Sequence, residues 1–524
     1  MHRPPTTPTC PPSPTAVARC AKLAKPALTK LPLTQRVLAK LALILLAPLL
    51  LTACGFQQHR EHLALLHANG KFTEALAELD DPETQSLYDS QDQLLLDLDR
   101  GALSFYLGLD RQAFEYFESA ERFMDLTATQ QSTGDTAVQW LLNDTFATYA
   151  GEPYEDVYVN VFKLLGHLRA GRIEGGASVE ARRVAAKTSL LRDRFTAATA
   201  STRRGAERST NPTAKLALEA AKPTSTPVAN TSPTTDAPTP PTDPEPRPRA
   251  ITDGQFIDSP LGAYLAAVTF MKTNEPEQQS VAARRLRSAI DAQGLLIGDV
   301  DPANFSGLAQ LAPSNASVLL VALSGRGPVK FAQRVGPIPL FDFPVYFELP
   351  QLRTFPSQAR SVRATLTPES GDSPPREVTL NLIEDMGRVA SENHRRQLPL
   401  IYTRTLVRAA VKSAATAVAA GAVRRGQGGS RGRSEGEAIL VVLGGLAAMV
   451  ATERADIRCW TFLPGRAHVA LVELPPGRYN VRFDYLGPAG PSAAQTVLFT
   501  EQQPPLTVTG DPRDLATSIA HWWR

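Results

Sequence analysis

Cysteine is nearly absent from this chain of 524 residues, with four in all: Cys10, Cys20, Cys54 and Cys459. Three fall within the first 54 positions, so Cys459 stands alone in the rest and a disulfide framework is excluded. Long apolar runs are missing too. The two strongest, Leu41 to Leu51 and Ala438 to Val450, have about eleven and thirteen residues, short of the ~20 that a spanning helix needs. No H-E-x-x-H, G-x-S-x-G or G-x-x-x-x-G-K-[ST] motif occurs, nor an S-x-x-K set with its partners, so the common hydrolase and nucleotide-binding signatures are lacking. Histidine is scarce at eight residues, and no carboxylate or cysteine completes a metal set around His59, His62 and His67, so no metal or cofactor is expected. The net charge is only +3, and no nucleic-acid partner is expected.

The stretch that organises the chain is LALILLAPLLLTAC, residues 41 to 54. Lys30, Arg36 and Lys40 precede it as a charged region, and Leu51-Thr52-Ala53-Cys54 closes it with small residues before a thiol. This reads as a bacterial lipoprotein signal, with lipid taken by Cys54 and residues 1–53 removed as a signal peptide with a long leader. About 470 residues then remain, enough for two or three domains. Gly55 lacks the Asp that commonly retains such proteins in the inner membrane, so the expected location is the outer membrane, facing the periplasm.

From 54 to 199 the pattern is helical, and a spacing recurs. Gly70 is followed by Ala75 and Leu79, and Gly108 by Ala113, Phe117 and Ala120, the offsets at which antiparallel helices of a tetratricopeptide repeat cross. A third candidate turn at Gly171 has Gly176 where the others have Ala, and reads as degenerate. Residues 200–250 are rich in Thr and Pro and read as a disordered linker or a long loop. Helical pattern returns over 251–312. After Pro313 the period becomes two, and SVLLVALSG, PVKFAQRVG, PVYFELP, SVRATLTP, REVTLNLIED, DIRCWTFLPG, AHVALVELPPGRYNVRFDYLG, AAQTVLFTE and LTVTG read as strands. The fold class expected is α+β: an N-terminal tetratricopeptide-like helical array, then an antiparallel β-sandwich-like domain over 313–524 with an inserted helical hairpin at about 398–454. Within that insertion Ala438 to Val450 is apolar all round and is expected to pack on the Ala-rich stretch 409–423 rather than enter a membrane.

Charge is segregated along the chain. Residues 59–126 carry about fifteen acidic against five basic side chains, while 165–210 and 400–433 are basic, a pattern read first as solvated faces. Cys459 reads as a strand residue facing a core.

Three groups of residues together resemble a family. Asn143-Asp144, Tyr149-x-Gly151-Glu152-x-Tyr154-Glu155, Asn160 and Glu180-Ala181-Arg182-Arg183 form the first; Gly327-Pro328-Val329-Lys330 with Arg408-Ala409-Ala410-Val411-Lys412 the second; Ala455-Asp456-x-Arg458-x-Trp460-x-x-Leu463-Pro464 the third. In this order they resemble an uncharacterised group of bacterial envelope lipoproteins with tetratricopeptide-like repeats. The resemblance covers most of the chain after Cys54 apart from the linker. It implies an envelope protein, encoded near activator lipoproteins of peptidoglycan synthases, and no established activity.

The function expected is therefore a lipid-anchored scaffold or regulator that binds an envelope protein, possibly one of peptidoglycan synthesis, and not an enzyme. The alternative is a cell-wall enzyme or glycan-binding module in the β domain. The partner-binding surface is placed on Asn143, Asp144, Tyr149, Asn160, Arg182 and Arg183, with the Asn160 amide and the two guanidinium groups as donors. A competing reading has Glu180 pairing with Arg183 and Asn160 serving a turn.

Overall fold

The computed structural model describes residues 56, 58–133, 148–208, 259–297, 317–340, 343–371, 373–398, 401, 455–489 and 495–524. Cys54 with its leader, Asn143, Asp144, most of the Thr/Pro-rich segment and nearly all of the expected helical hairpin lie outside them. The chain forms one compact unit up to His62 and a second from Leu63 onward, and the second is described below.

Helices fill its N-terminal half. After the helical residues 63–68 (α1) come α2 (Phe72–Asp80), α3 (Pro82–Gln85), α4 (Gln93–Tyr106), α5 (Asp110–Thr133), α6 (Pro153–Arg169), α7 (Ser178–Arg208), α8 (Pro260–Met271) and α9 (Pro276–Leu296). Three of the inter-helix turns are built alike. Gly70, Gly108 and Gly171 have φ of 69°, 74° and 67°, a conformation that costs an L side chain, and each ends a helix. In each the next N–H reaches back five residues: Lys71 to the Leu66 carbonyl (3.0 Å), Leu109 to Ser104 (2.8 Å) and Arg172 to His167 (2.9 Å). This is the Schellman closure.

Beyond the turn the third hairpin departs from the other two. Ala75 and Ala113 donate to carbonyls four residues back, Lys71 and Leu109, whereas Ala177 donates five back, to Arg172. The extra residue is taken up in a π turn over Ile173–Ala177 with Gly175 at φ 73°. Ala177, Ala181 and Val184 stand one position further from Gly171 than Ala113, Phe117 and Ala120 do from Gly108, and all six are buried. The third hairpin is thus shifted by one residue. Gly176 serves a different need, since a Cβ there would stand 2.9 Å from His167 Nδ1.

Successive helices pack on one another from α4 to α9, and α8 rests on α6 and α7 as well as on strand β5 below. The segment between α7 and α8 therefore leaves and rejoins a single packed body. Gly101 is required for the closest approach, because a Cβ would meet the Phe117 ring at 2.6 Å. Phe105, Phe117 and Phe162 fill the interior, with ring centroids 4.9 Å apart for Phe105 and Phe162 and 5.3 Å for Phe117 and Phe162.

The C-terminal region holds β1 (Ser317–Arg326), β2 (Val329–Leu340), β3 (Phe343–Arg353), β4 (Ser361–Pro368), β5 (Arg376–Asp385), β6 (Pro464–Glu473), β7 (Gly477–Ala489), β8 (Gln495–Val508) and β9 (Leu515–Trp522). Seven strands form one sheet in the order β8-β7-β4-β5-β6-β1-β9, while β2 and β3 pair only with each other. The sheet curls until its edges meet: the Glu501 carboxylate on β8 accepts the His521 N–H of β9 at 2.8 Å, and the Phe499 and Trp522 rings stack at 5.9 Å. Alternate residues line its interior, Val318, Leu320 and Ala322 on β1, Val362, Ala364 and Leu366 on β4, and Val481, Phe483 and Tyr485 on β7. On β1 the intervening Leu319, Val321 and Leu323 are buried as well, so this strand is covered on both faces and its unbroken apolar sequence follows.

Four expectations are corrected. A single curled sheet stands where a sandwich was expected, and it is not wholly antiparallel, since β1 and β9 run parallel. Strand β9, in DLATSIAHWW, was missed. DIRCWTFLPG is no strand, because 455–463 carry no ladder and β6 starts only at Pro464. The helix after β5 begins at 386, twelve residues before the expected start, where Asp385 Oδ1 accepts the Arg388 N–H at 3.1 Å as an N-cap; this helix, 386–398, is α10.

Two outcomes are expected. Gly108→Ala meets nothing within 4 Å and should cost only the left-handed backbone penalty, about 1 to 2 kcal/mol. Gly70→Ala places a Cβ 2.2 Å from the Trp523 ring and should cost roughly 1 to 3 kcal/mol more, read from urea unfolding; equal losses would refute the packing. A specific protease site inserted within 209–258 should, once cut, yield two fragments that co-elute from a sizing column.

Candidate functional site

Residues 455–463 cross between the helices and the sheet with no strand partner, so their backbone groups need partners from side chains. The helices supply them. The Trp460 N–H donates to Glu155 Oε1 on α6 (2.8 Å) and the Thr461 N–H to Asp99 Oδ1 on α4 (3.0 Å). Carbonyls are met in turn: Thr461 O lies 3.2 Å from His67 Nδ1, Phe462 O accepts the Tyr106 hydroxyl at 2.8 Å, and Leu463 O accepts the Gly327 N–H at 2.7 Å. The Trp460 ring is fully buried, 5.5 Å from Phe162 and 5.8 Å from Phe117.

Glu155 is the centre of this arrangement. A capping box with Glu152 opens α6 and fixes its position, the Glu152 N–H donating to Glu155 Oε2 at 2.9 Å. The Tyr149 hydroxyl donates to the same oxygen at 2.6 Å. Burial, then the Glu152 charge, push the Glu155 carboxyl up to about 7, against the pull of its three donors.

Around it stands a second ring of charge. Lys330 at the start of β2 pairs with Glu152, and Arg458 grips Asp456 through Nε (2.9 Å) and Nη2 (2.8 Å) while Nη1 reaches Asp92 at 3.0 Å. Burial disfavours the Lys330 ammonium, yet Glu152 and Asp456 hold its pKa above the usual range. The Tyr149 ring lies under both cations, 5.3 Å from the Arg458 guanidinium and 5.9 Å from the Lys330 ammonium. Three segments far apart in sequence, Tyr149 to Glu155, Gly327 to Lys330 and Asp456 to Trp460, thus meet at one point. No protein-family model, curated protein or solved structure matches the chain.

A second charged group lies between α5, α6 and α7. The Asn160 amide donates to Glu121 (2.7 Å) and Glu180 (2.9 Å), and the Lys163 ammonium, fully buried, pairs with Glu118 and Glu121 at 2.7 Å each and with Glu180 at 3.2 Å. Lys187 adds Asp156 at 2.8 Å and Glu121 at 3.3 Å. Burial alone would raise Glu121, but Lys187, Lys163 and Asn160 hold it down to about 2.

Of the residues assigned to partner binding, Tyr149 and Asn160 are interior, at 3% and 0% exposed. A buried amide bound to two carboxylates leaves no donor for a partner's backbone, so a groove role for these two does not fit their placement. The pairing of Glu180 with Arg183 is present at 3.0 Å. Arg182 and Arg183 remain on the surface, with side chains 51% and 45% exposed; among the described residues Arg182 has one long contact, to Glu275 at 3.4 Å. Asp92 and Asp99 were missed by the sequence reading, which gave the whole acidic block to solvent. The signal available was LLLDLDRGAL, where acids interrupt an otherwise apolar run.

Tyr149→Phe tests this centre. A carboxyl with folded pKa near 7 and an ordinary value of 4.5 favours the folded state most below pH 4.5, and that contribution is lost as pH rises through 7. The Tyr149 hydroxyl favours the ionised form. Its removal should therefore cost more at pH 8.5, about 1.5 to 3 kcal/mol by urea unfolding, than at pH 5.5. A loss independent of pH would show that Tyr149 does not hold the carboxylate.

Proposed function

We propose that this protein is a lipid-anchored envelope scaffold, attached through Cys54 to the outer membrane and facing the periplasm, whose tetratricopeptide-like helical array presents a surface to another envelope protein. The anchor rests on the sequence box ending at Cys54. Repeat character is supported by three glycine turns of one geometry and by a buried alanine after each, at the fifth position in the first two and the sixth in the third.

One observation carries the choice of scaffold over enzyme: the convergent charged groups are spent on one another. Glu155 takes three donors, Arg458 has two carboxylates, Lys330 has Glu152, and Lys163 has three glutamates. Groups so saturated hold the helices to one another and to the 455–463 segment and β2, and offer no base, nucleophile or electrophile to a substrate. Among the described residues the Arg182 guanidinium on α7 is exposed and meets only Glu275, at 3.4 Å, which leaves it a donor suited to a carboxylate-rich partner.

Crosslinking in intact envelopes followed by affinity capture tests this reading. The parent chain should retain one envelope protein, and Arg182→Ala should lose most of it while melting within a few degrees of the parent. Cys54→Ala should leave the precursor uncut and without lipid. Capture unchanged by Arg182→Ala would remove α7 from the interface, and an unmodified thiol at Cys54 in the mature protein would remove the anchor.

A further inference from the structure

Charge of one sign gathers where β1 runs into the β2-β3 root. From Ser317 to Pro368 six residues are basic and two acidic. Lys330 is spent on Glu152, and Arg363 on Glu377 and Asp484. Arg326 and Arg353 meet no carboxylate among the described residues. The Arg326 guanidinium lies over the Phe355 ring at 4.2 Å and reaches the Ala64 carbonyl of α1 at 3.4 Å, and burial lowers its pKa with no acid to offset it. Arg353, two residues before Phe355, lies over the Phe331 ring at 5.2 Å. Lys330 and Phe331 are neighbours in β2 and point to opposite faces, so Phe331 turns away from Glu152, and it is 37% exposed. Glu348 stands opposite Arg334 on the Lys330 face, away from Phe331. Leu65, next after Ala64, is 61% exposed. Leu65, Arg326, Phe355, Arg353 and Phe331 thus form a connected run of cations, rings and an open leucine.

We infer that this run is a membrane-contact surface, on which Arg326 and Arg353 take the phosphate groups of anionic phospholipid while Leu65 and Phe331 enter the first acyl carbons. The inference deepens the reading of Cys54 as the lipid site and rests on it. Eleven positions separate Cys54 from Leu65, and even fully extended, at about 3.6 Å each, they span no more than roughly 40 Å. The anchor therefore holds this surface near the bilayer it would touch. The headgroup boundary suits it chemically, since phosphate meets a guanidinium and an apolar layer begins just beneath. An acidic protein segment would answer the two arginines and leave the leucine and the phenylalanine uncovered. A lipid surface answers both.

The full chain with a benzophenone amino acid in place of Leu65, mixed with vesicles of equal parts phosphatidylglycerol and phosphatidylcholine, reads the contact directly. Irradiation should give a phospholipid adduct on the peptide that holds position 65. Its yield should fall by about fivefold or more on phosphatidylcholine alone, and by as much when Arg326→Gln and Arg353→Gln are combined, each cation at an anionic surface being worth about fivefold in occupancy. Arg353→Gln alone, at an exposed side chain, should lower the yield at least twofold with the melting point unchanged. A yield indifferent to lipid charge or to these variants would reflect only the nearness of the anchor and would overturn the inference, as would adducts to protein alone. Mass spectrometry of Cys54 in the same sample separates the two readings. A lipidated Cys54 with position 65 silent overturns the surface and keeps the anchor, whereas a charge-dependent lipid adduct at position 65 beside an unmodified Cys54 supports the surface and removes the anchor.

Discussion

The carboxylate of Glu155 accepting the N–H of Trp460 is the interaction on which the rest depends. A nine-residue strap without a ladder partner runs through the interior between helices and sheet, and each buried backbone group left unpaired would cost about 1 to 3 kcal/mol. Glu155, Asp99, His67 and Tyr106, from three helices, meet four of these groups in a row. The helical half therefore does for the strap what a neighbouring strand would do in a sheet. The strap in return seals the helices, since the buried Trp460 ring packs on both Phe117 and Phe162.

Burial of this kind sets the ionisation of the interior. Glu384 on β5 accepts the Ser259 hydroxyl at 2.6 Å and the Leu261 N–H at 2.8 Å, joining α8 to the sheet as Glu155 joins α6 to the strap, and Glu501 joins β8 to β9. Desolvation is the leading cause in all three, and each is pushed up to about 7. These acids favour the folded state when protonated, so their contribution falls as pH rises from 4.5 through 7. Histidine acts the other way: burial, with Arg326 and Arg466 adding to it, pushes His67 and His468 down to about 3, so their contribution falls as pH drops below 6.5. The two sets oppose each other across the same window, and stability should vary with pH less than either set alone would make it.

What the sequence made legible was local. A glycine at a helix end and a small residue five positions on are read within a dozen residues, and the turns at Gly70 and Gly108 stand as expected. The third turn was misjudged because the register slip at Gly175 is invisible to fixed spacing; Ala177, not Gly176, takes the small position. The strap was read as a strand because its apolar residues alternate, and alternation records burial of side chains without saying what pairs the backbone. Its helical partners lie 305 to 394 positions away, beyond any window. Asn160 was read as an open donor for a related reason: a poor helix former hints at a use, but only the approach of α5 and α7 shows that Glu121 and Glu180 take it.

The placement of charge limits how the halves can work together. Arg183 on the surface touches Glu180 and Glu121, Glu121 holds Lys163 and Asn160 of α6, and α6 opens at the Glu152-Glu155 box that holds the strap. A partner whose carboxylates draw Arg183 outward must unbind it from glutamates that also hold a buried ammonium, and such a group left short of counter-charge is costly. Arg182 carries no such burden, since its partner among the described residues, Glu275, is itself exposed. Recognition through Arg182 leaves the interior undisturbed, while recognition through Arg183 would reach along α6 to the strap.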